Sequence, residues 1–252
     1  MSLVDPQVVD LGPGVLAAFT TRSGGVSAPP WDSLDLGLGV GDDDRAVYAN
    51  RALLAAWVAV PVAFGTQVHG ARVVAVDHPP APDTPSVGEG DALVTARVDV
   101  AVAVLVADCV PVLLADPEAR VVAAVHAGRA GLLAGVVEAA VAALCARGAR
   151  PDRVRAAIGP SIAGRSYEVP AALRAQVAAR VPATSATTAW GTPALDLAAG
   201  VAAVLAGRGI TAVTRLDRDT FTDPALYSHR RAMADGTRTG RSCGVVRLLR
   251  TE

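Results

Sequence analysis

The chain holds four histidines, His69, His78, His126 and His229, and three cysteines, Cys109, Cys145 and Cys243. Three of these residues share a setting. His69 closes Thr66-Gln67-Val68-His69-Gly70, Cys109 follows the apolar run 100–106, and His126 ends Val121-Val122-Ala123-Ala124-Val125-His126. Each stands at the end of a strand-like segment, so the three can converge on one edge of a sheet. Two imidazoles and one thiolate leave one position open on a tetrahedral zinc, the mark of a catalytic rather than a structural site. The ordinary alternative is a hydrogen-bonded histidine at a strand end and a cysteine acting as a small hydrophobe. The spacing itself matches no local metal motif.

Convergence would hold Cys109 as a thiolate and acidify a metal-bound water. Asp108, beside Cys109, is the candidate carboxylate to accept a hydrogen bond from a ligand histidine. Arg22 opens a second candidate site. It begins the glycine-rich stretch Arg22-Ser23-Gly24-Gly25-Val26-Ser27, where a guanidinium and backbone N–H groups can meet an anion. The Gly37-Leu38-Gly39-Val40-Gly41-Asp42 segment lacks the full dinucleotide fingerprint and reads as a turn.

The elements that must position these residues follow from pattern. Apolar, β-branched runs predict strands at 15–20, 63–68, 72–76, 92–95, 100–106, 111–115, 121–125, 154–158, 210–214 and 244–249. Asp42-Asp43-Asp44 precedes a helical run ending at Trp57. Further helices are predicted at 132–147, stopped by Gly148, at 171–179, and at 195–208, stopped by Gly209. Residues 78–90 read as a surface loop and 181–193 as a loop between helices. Strands and helices mix without strict alternation, which predicts an α+β, mixed-sheet domain spanning residues 1–252.

Composition narrows the function classes. The chain has 252 residues, 52% of them hydrophobic and 4% aromatic, so Val, Leu and Ala must fill its core. A net charge of -1 argues against a general nucleic-acid binder. Every basic residue is an arginine, which excludes lysine Schiff-base chemistry and a P-loop lysine. No secretory leader pattern opens the sequence, no apolar run is long enough to span a bilayer, and the cysteines form no disulfide framework. A cytoplasmic monomer acting on a small-molecule substrate, without nucleic acid or membrane, is the expectation.

A set of segments, taken in order, resembles the laccase-domain (YfiH-like) family. They are Thr20-Thr21-Arg22-Ser23-Gly24-Gly25-Val26-Ser27, Ser33-Leu34-Asp35-Leu36-Gly37, Gln67-Val68-His69-Gly70, Gly90-Asp91-Ala92-Leu93-Val94-Thr95, Ala107-Asp108-Cys109-Val110-Pro111-Val112 and Val125-His126-Ala127-Gly128. Ile158-Gly159-Pro160-Ser161-Ile162, Tyr167-Glu168-Val169, Tyr227-Ser228-His229-Arg230-Arg231 and Thr239-Gly240-Arg241 complete it. The resemblance implies a β-sandwich flanked by helices and a metal triad of His69, Cys109 and His126. It places Arg22, Ser23, Gly24, Gly25 and Arg241 in the substrate or phosphate pocket. Four departures stand out: Arg129-Ala130 where the family has Trp-Arg, Asp35 for Asn, no cysteine in residues 161–166, and His229 for Tyr.

Members of that family have been described as purine nucleoside phosphorylases with adenosine deaminase activity, as multicopper polyphenol oxidoreductases and as peptidoglycan editing factors. Four histidines are too few for a full multicopper centre. Zinc is therefore expected ahead of a single copper with Met233 as axial ligand. Phosphorolysis of a purine nucleoside is the leading expectation. Deamination would need a carboxylic acid as proton shuttle, for which Glu168 is the candidate, and the H-x-E with P-C-x-x-C signature is absent. A cysteine hydrolase or amidase acting on peptidoglycan precursors, with Cys109 as nucleophile and His126 or His69 as base, is the alternative.

Overall fold

The computed structural model describes residues 6–250. Its strands are β1 (Gln7–Val9), β2 (Val15–Phe19), β3 (Val62–Phe64), β4 (Val73–Ala75), β5 (Ala92–Thr95), β6 (Ala101–Val106), β7 (Val110–Asp116), β8 (Val121–Ala127), β9 (Arg155–Ile158), β10 (Ser185–Thr187), β11 (Pro193–Leu195), β12 (Ala212–Arg215) and β13 (Ser242–Leu248). Its helices are α1 (Asp44–Val58), α2 (Arg129–Ala134), α3 (Val136–Cys145), α4 (Ala171–Arg180), α5 (Leu197–Gly207) and α6 (His229–Ala234).

Two mixed sheets form the centre. One has the order β1-β2-β13-β6-β3 and the other β12-β9-β7-β8-β5-β4. In the first, β6 runs antiparallel to β13 and parallel to β3. In the second, β7 and β8 are antiparallel, whereas β9 and β12 are parallel. Side chains alternate across each strand, so one strand feeds two cores. Leu113, Ala115, Val122 and Ala124 meet Phe19, Val102, Val104 and Val246 between the sheets. Val112, Leu114, Val121, Ala123 and Val125 face the other way, against Val137, Val141 and Leu144 of α3 and Val201 and Leu205 of α5. On the far side, Ala18, Ala103 and Val245 pack on Leu54 and Val58 of α1. This double burial explains why β7 and β8 read as unbroken apolar runs.

The sequence reading differs from the structure in several elements, each for a local reason. The helix expected over 132–147 is broken at Gly135, whose φ of 88° lies in the left-handed region and ends α2 before α3 begins. The helix expected from 195 starts at Leu197, after Asp196 caps it by accepting from Ala199 N at 2.8 Å. The supposed loop at 181–193 contains β10, and β11 begins at its last residue; the two pair antiparallel. The strand expected to carry His69 stops at Phe64, so His69 sits in a loop. No helix among the described residues is long and apolar enough to cross a membrane.

α1 pins the loop that follows the glycine-rich stretch. Asn50 Nδ2 donates to Asp35 O at 2.8 Å, Asn50 Oδ1 accepts from Val26 N at 2.8 Å, and Arg51 Nε donates to Leu36 O at 3.0 Å. Asp35 is fully buried. Its Oδ1 accepts from Gly37 N and Arg241 N, while Oδ2 has no hydrogen-bond partner among the described residues. Burial pushes its carboxyl up to about 6 despite those amide donors.

A carboxyl raised in the folded state keeps its proton there to higher pH than in the unfolded chain. Its contribution to stability is therefore present below the unfolded value and declines as pH rises through the folded one. Asp35→Asn retains an oxygen for both amides and removes the buried charge. It is expected to be about 1–3 kcal/mol more stable than the natural chain above about pH 6, the gap closing towards about pH 4. Thermal melts at both ends of that window check it; an equal difference at both would refute it.

Candidate metal centre

His69, Cys109 and His126 come together. Their ligand atoms all lie within 4.8 Å of one another, and Cys109 Sγ is 3.7 Å from His69 Nε2. The two imidazoles meet edge to face, with ring centroids 4.8 Å apart. Three different pieces of chain deliver them. His126 is the penultimate residue of β8, Cys109 lies in the crossing where β6 of one sheet passes to β7 of the other, and His69 lies in the loop after β3. His69 adopts a φ of 60°, a region non-glycine residues seldom occupy.

Asp91, just before β5, holds the arrangement. It is fully buried, and its carboxylate accepts four hydrogen bonds. Its carboxylate takes the amides of Val68, His69 and Gly70 at 3.2, 2.9 and 2.8 Å, and Nδ1 of His126 at 2.8 Å. Its carbonyl also accepts from His126 N at 2.7 Å. With Nδ1 of His126 held by Asp91, Nε2 is left as the ligand atom. The acceptor expected at Asp108 is thus Asp91. Asp108 is spent elsewhere, its two oxygens accepting from Thr220 Oγ1 and Arg230 N, each at 2.6 Å.

Electrostatics favour a Cys109 thiolate beside a charged His126, whose proton a metal must displace. Burial pushes the Cys109 thiol up, but hydrogen bonds to His126 and His69 and their charge outweigh it and bring the thiol down to about 6. Burial likewise opposes the His126 imidazolium, but Asp91 and Cys109 raise it to about 9. Tetrahedral zinc with bonds of about 2.3 Å to sulfur and about 2.0–2.1 Å to nitrogen sets neighbouring ligand atoms roughly 3.5 Å apart. The observed sulfur–nitrogen separation of 3.7 Å fits it. Gly128 makes room for the cluster: a Cβ there would lie 2.7 Å from His69 Cδ2 and 3.0 Å from Cys109 Sγ.

A cleft of about 330 Å³ opens beside His69 and Cys109. Asp108, Arg129, Tyr167, His229 and Arg230 line it, with Ile162 and Leu197 as apolar wall. Arg230 stacks over Tyr167 with its guanidinium carbon 5.0 Å from the ring centre. Arg129, Tyr167, His229 and Arg230 were not assigned chemistry from sequence; the departures at 129 and 229 were the available signal.

Other expected residues lie elsewhere. Glu168 lines a neighbouring groove and its carboxylate accepts from Trp190 Nε1 at 2.6 Å, turned away from the cluster's cleft. Arg22 donates through Nε and Nη2 to Asp32 and lies 5.1 Å from the centre of the Tyr227 ring. The amides of Arg22, Ser23, Gly25, Val26 and Ser27 each donate to a protein acceptor, and a Cβ on Gly25 would strike Ser33 O at 2.1 Å. Gly24 turns with a φ of 94°. Arg241 donates through Nη1 to Thr239 O and Gly240 O, and lies within electrostatic reach of Cys109 and Asp108. Met233 is 65% exposed on α6 and does not line the cleft.

Asp91→Asn should weaken the zinc affinity of the cluster by about 10–100-fold, because the amide no longer fixes the Nδ1-bonded tautomer of His126 or makes its Nε2 the more basic donor. Competition against a chromophoric chelator measures this. Unchanged affinity would mean that Asp91 only shapes the loop.

Known proteins share this architecture. Residues 16–249 match the family described as multi-copper polyphenol oxidoreductase laccase. A purine nucleoside phosphorylase of Streptomyces coelicolor is 51% identical over 238 residues, covering 93% of this chain and 96% of the relative. One of Mycobacterium tuberculosis is 49% identical, covering 86% and 87%. Among solved structures, YlmD of Geobacillus stearothermophilus superposes with a TM-score of 0.85 at 32% identity, covering 94% of this chain and 93% of that one. The YfiH protein of Bacillus licheniformis gives 0.82 at 30% identity, covering 93% and 92%. The ordered motifs, the mixed sandwich and these matches agree: the chain belongs to the laccase-domain, YfiH-like family.

Proposed function

We propose that this chain is a zinc-dependent purine nucleoside phosphorylase, acting on adenosine, inosine or methylthioadenosine in the cleft beside His69, Cys109 and His126. One observation carries the reading: the His-Cys-His cluster opens into a cleft bordered by two arginines and an aromatic ring. The names borne by its relatives support the substrate class. Bound at the cluster, zinc would supply Lewis-acid polarisation of a substrate oxygen.

The chain's own residues supply the rest. Arg129 and Arg230 offer planar donors to phosphate. Tyr167 offers a ring edge to the base or sugar, and Ile162 and Leu197 keep water from that wall. Arg241 adds positive charge near Cys109 and Asp108, while Arg22, at the head of the turn through Ser23, Gly24 and Gly25, lies over the ring of Tyr227, two residues before His229. Adenosine deamination has less support, since Glu168 is engaged with Trp190. A cytoplasmic monomer built as one domain over residues 1–252 completes the proposal.

A second reading has its own observation. Cys109 next to His69, with its thiol brought down to about 6, is also how a cysteine nucleophile is prepared. Among the described residues, His69, Cys109 and His126 form the single group able to hold a metal, which disfavours a multicopper oxidase and leaves one copper as the alternative to zinc.

Base release from inosine and adenosine, with and without phosphate, separates these readings. The zinc-loaded chain should release hypoxanthine and adenine only with phosphate present. Cys109→Ala should lose at least about 100-fold in rate while its melting temperature holds, since a ligand is lost rather than core volume. Release of neither base would end the phosphorylase reading, and turnover of cell-wall peptides by the metal-free chain would install the hydrolase.

A further inference from the structure

A purine leaves ribose readily only when its imidazole ring is protonated at N7, so phosphorolysis requires an acid in the cleft. Most groups facing that cleft cannot serve. Both oxygens of Asp108 accept hydrogen bonds, from Thr220 Oγ1 and Arg230 N. Burial and the neighbouring Cys109 raise the Tyr167 phenol above its ordinary value, which makes it a poor proton donor. Arg129 and Arg230 hold their protons too tightly. His69 and Cys109 belong to the metal cluster. Glu168 lines another groove.

His229 remains. Histidine is the side-chain type whose ordinary titration falls near neutrality. It is the first residue of α6, exposed, and it lines the cleft together with His69 and Cys109. Its backbone is firmly mounted. Ser228 caps the helix by accepting from Arg231 N at 3.1 Å, and Arg230 N donates to Asp108 Oδ2 at 2.6 Å. The Arg231 guanidinium is anchored on the carbonyls of Thr220, Phe221, Asp223 and Leu226. These contacts fix the point on α6 from which His229 enters the cleft.

We infer that His229 is the general acid that protonates the departing purine, an inference that rests on the phosphorylase reading above. In the step, a phosphate oxygen forms a bond to ribose C1′ as the C1′–N9 bond breaks. The bonding pair passes to the purine, and the His229 imidazolium gives its proton to N7. The products are the neutral base and ribose 1-phosphate, and the imidazole regains its proton from water.

The test compares inosine with 7-methylinosine, whose base already carries the positive charge and needs no proton to leave. In His229→Gln, kcat with inosine and phosphate should fall by about 10²–10³-fold. The rate with 7-methylinosine should stay within about threefold of the natural chain, because the acid is bypassed. Zinc content and melting temperature, measured alongside, should match the natural chain. Equal losses on both substrates would overturn the inference by reducing His229 to a binding or structural part, and so would no loss on either. If the natural chain cleaves neither nucleoside, the phosphorylase reading itself falls and the inference with it; cleavage of both with an insensitive variant removes His229 alone.

Discussion

The structure depends on one buried carboxylate. Asp91 has no exposure to solvent, so its charge must be matched inside the protein or not be there. It is matched by three consecutive amides, from Val68 to Gly70, and by the imidazole of His126. Those four donors fix two separate things. The amides hold a loop whose His69 adopts a left-handed conformation it would otherwise leave, and the imidazole bond chooses which nitrogen of His126 faces its partners. An arrangement that costs backbone strain and a buried charge persists only where surrounding contacts fix it, and here they fix a cluster of three ligand-type side chains.

The fold supplies the fixed frame. β7 and β8 are buried on both faces, so neither can slide without exposing a core or driving polar groups into one. Their pairing sets Pro111 opposite His126, which carries the start of β7, and hence Cys109, alongside the imidazole. β5 pairs with β8 on its other side and brings Asp91 to His126. The crossing between sheets at Asp108 and Cys109 and the bare backbone at Gly128 then let the chain close on the cluster. Of the other cleft residues, Arg129 opens α2 directly after Gly128, whereas Tyr167, His229 and Arg230 come from α6 and a loop distant along the chain.

What could be read from sequence follows the same division. With four histidines and three cysteines, the ligand candidates were few, and the apolar runs beside Cys109 and His126 pointed to strand ends. Asp91 was hidden because an aspartate after a glycine looks like any turn residue. Its importance comes from pairing with residues distant along the chain. Of the neighbours Tyr167 and Glu168 the sequence favoured Glu168, yet an extended backbone sends neighbours to opposite sides, and Tyr167 lines the cleft while Glu168 faces Trp190. Gly135 lies inside the helix expected over 132–147, but its positive φ cuts that helix and sets α2 apart next to the cluster. The glycines after Arg22 read as an open anion loop. In the structure the space beside Gly25 is taken by Ser33 and Asn50.

We propose that His69, Cys109 and His126 form one zinc centre organised by Asp91. X-ray absorption at the zinc edge, on protein loaded with one equivalent of metal, tests it most directly. The spectrum should show one sulfur at about 2.3 Å and two imidazole nitrogens at about 2.0–2.1 Å, with a light-atom donor in the remaining position. A shell without sulfur, or with a single imidazole, would contradict it.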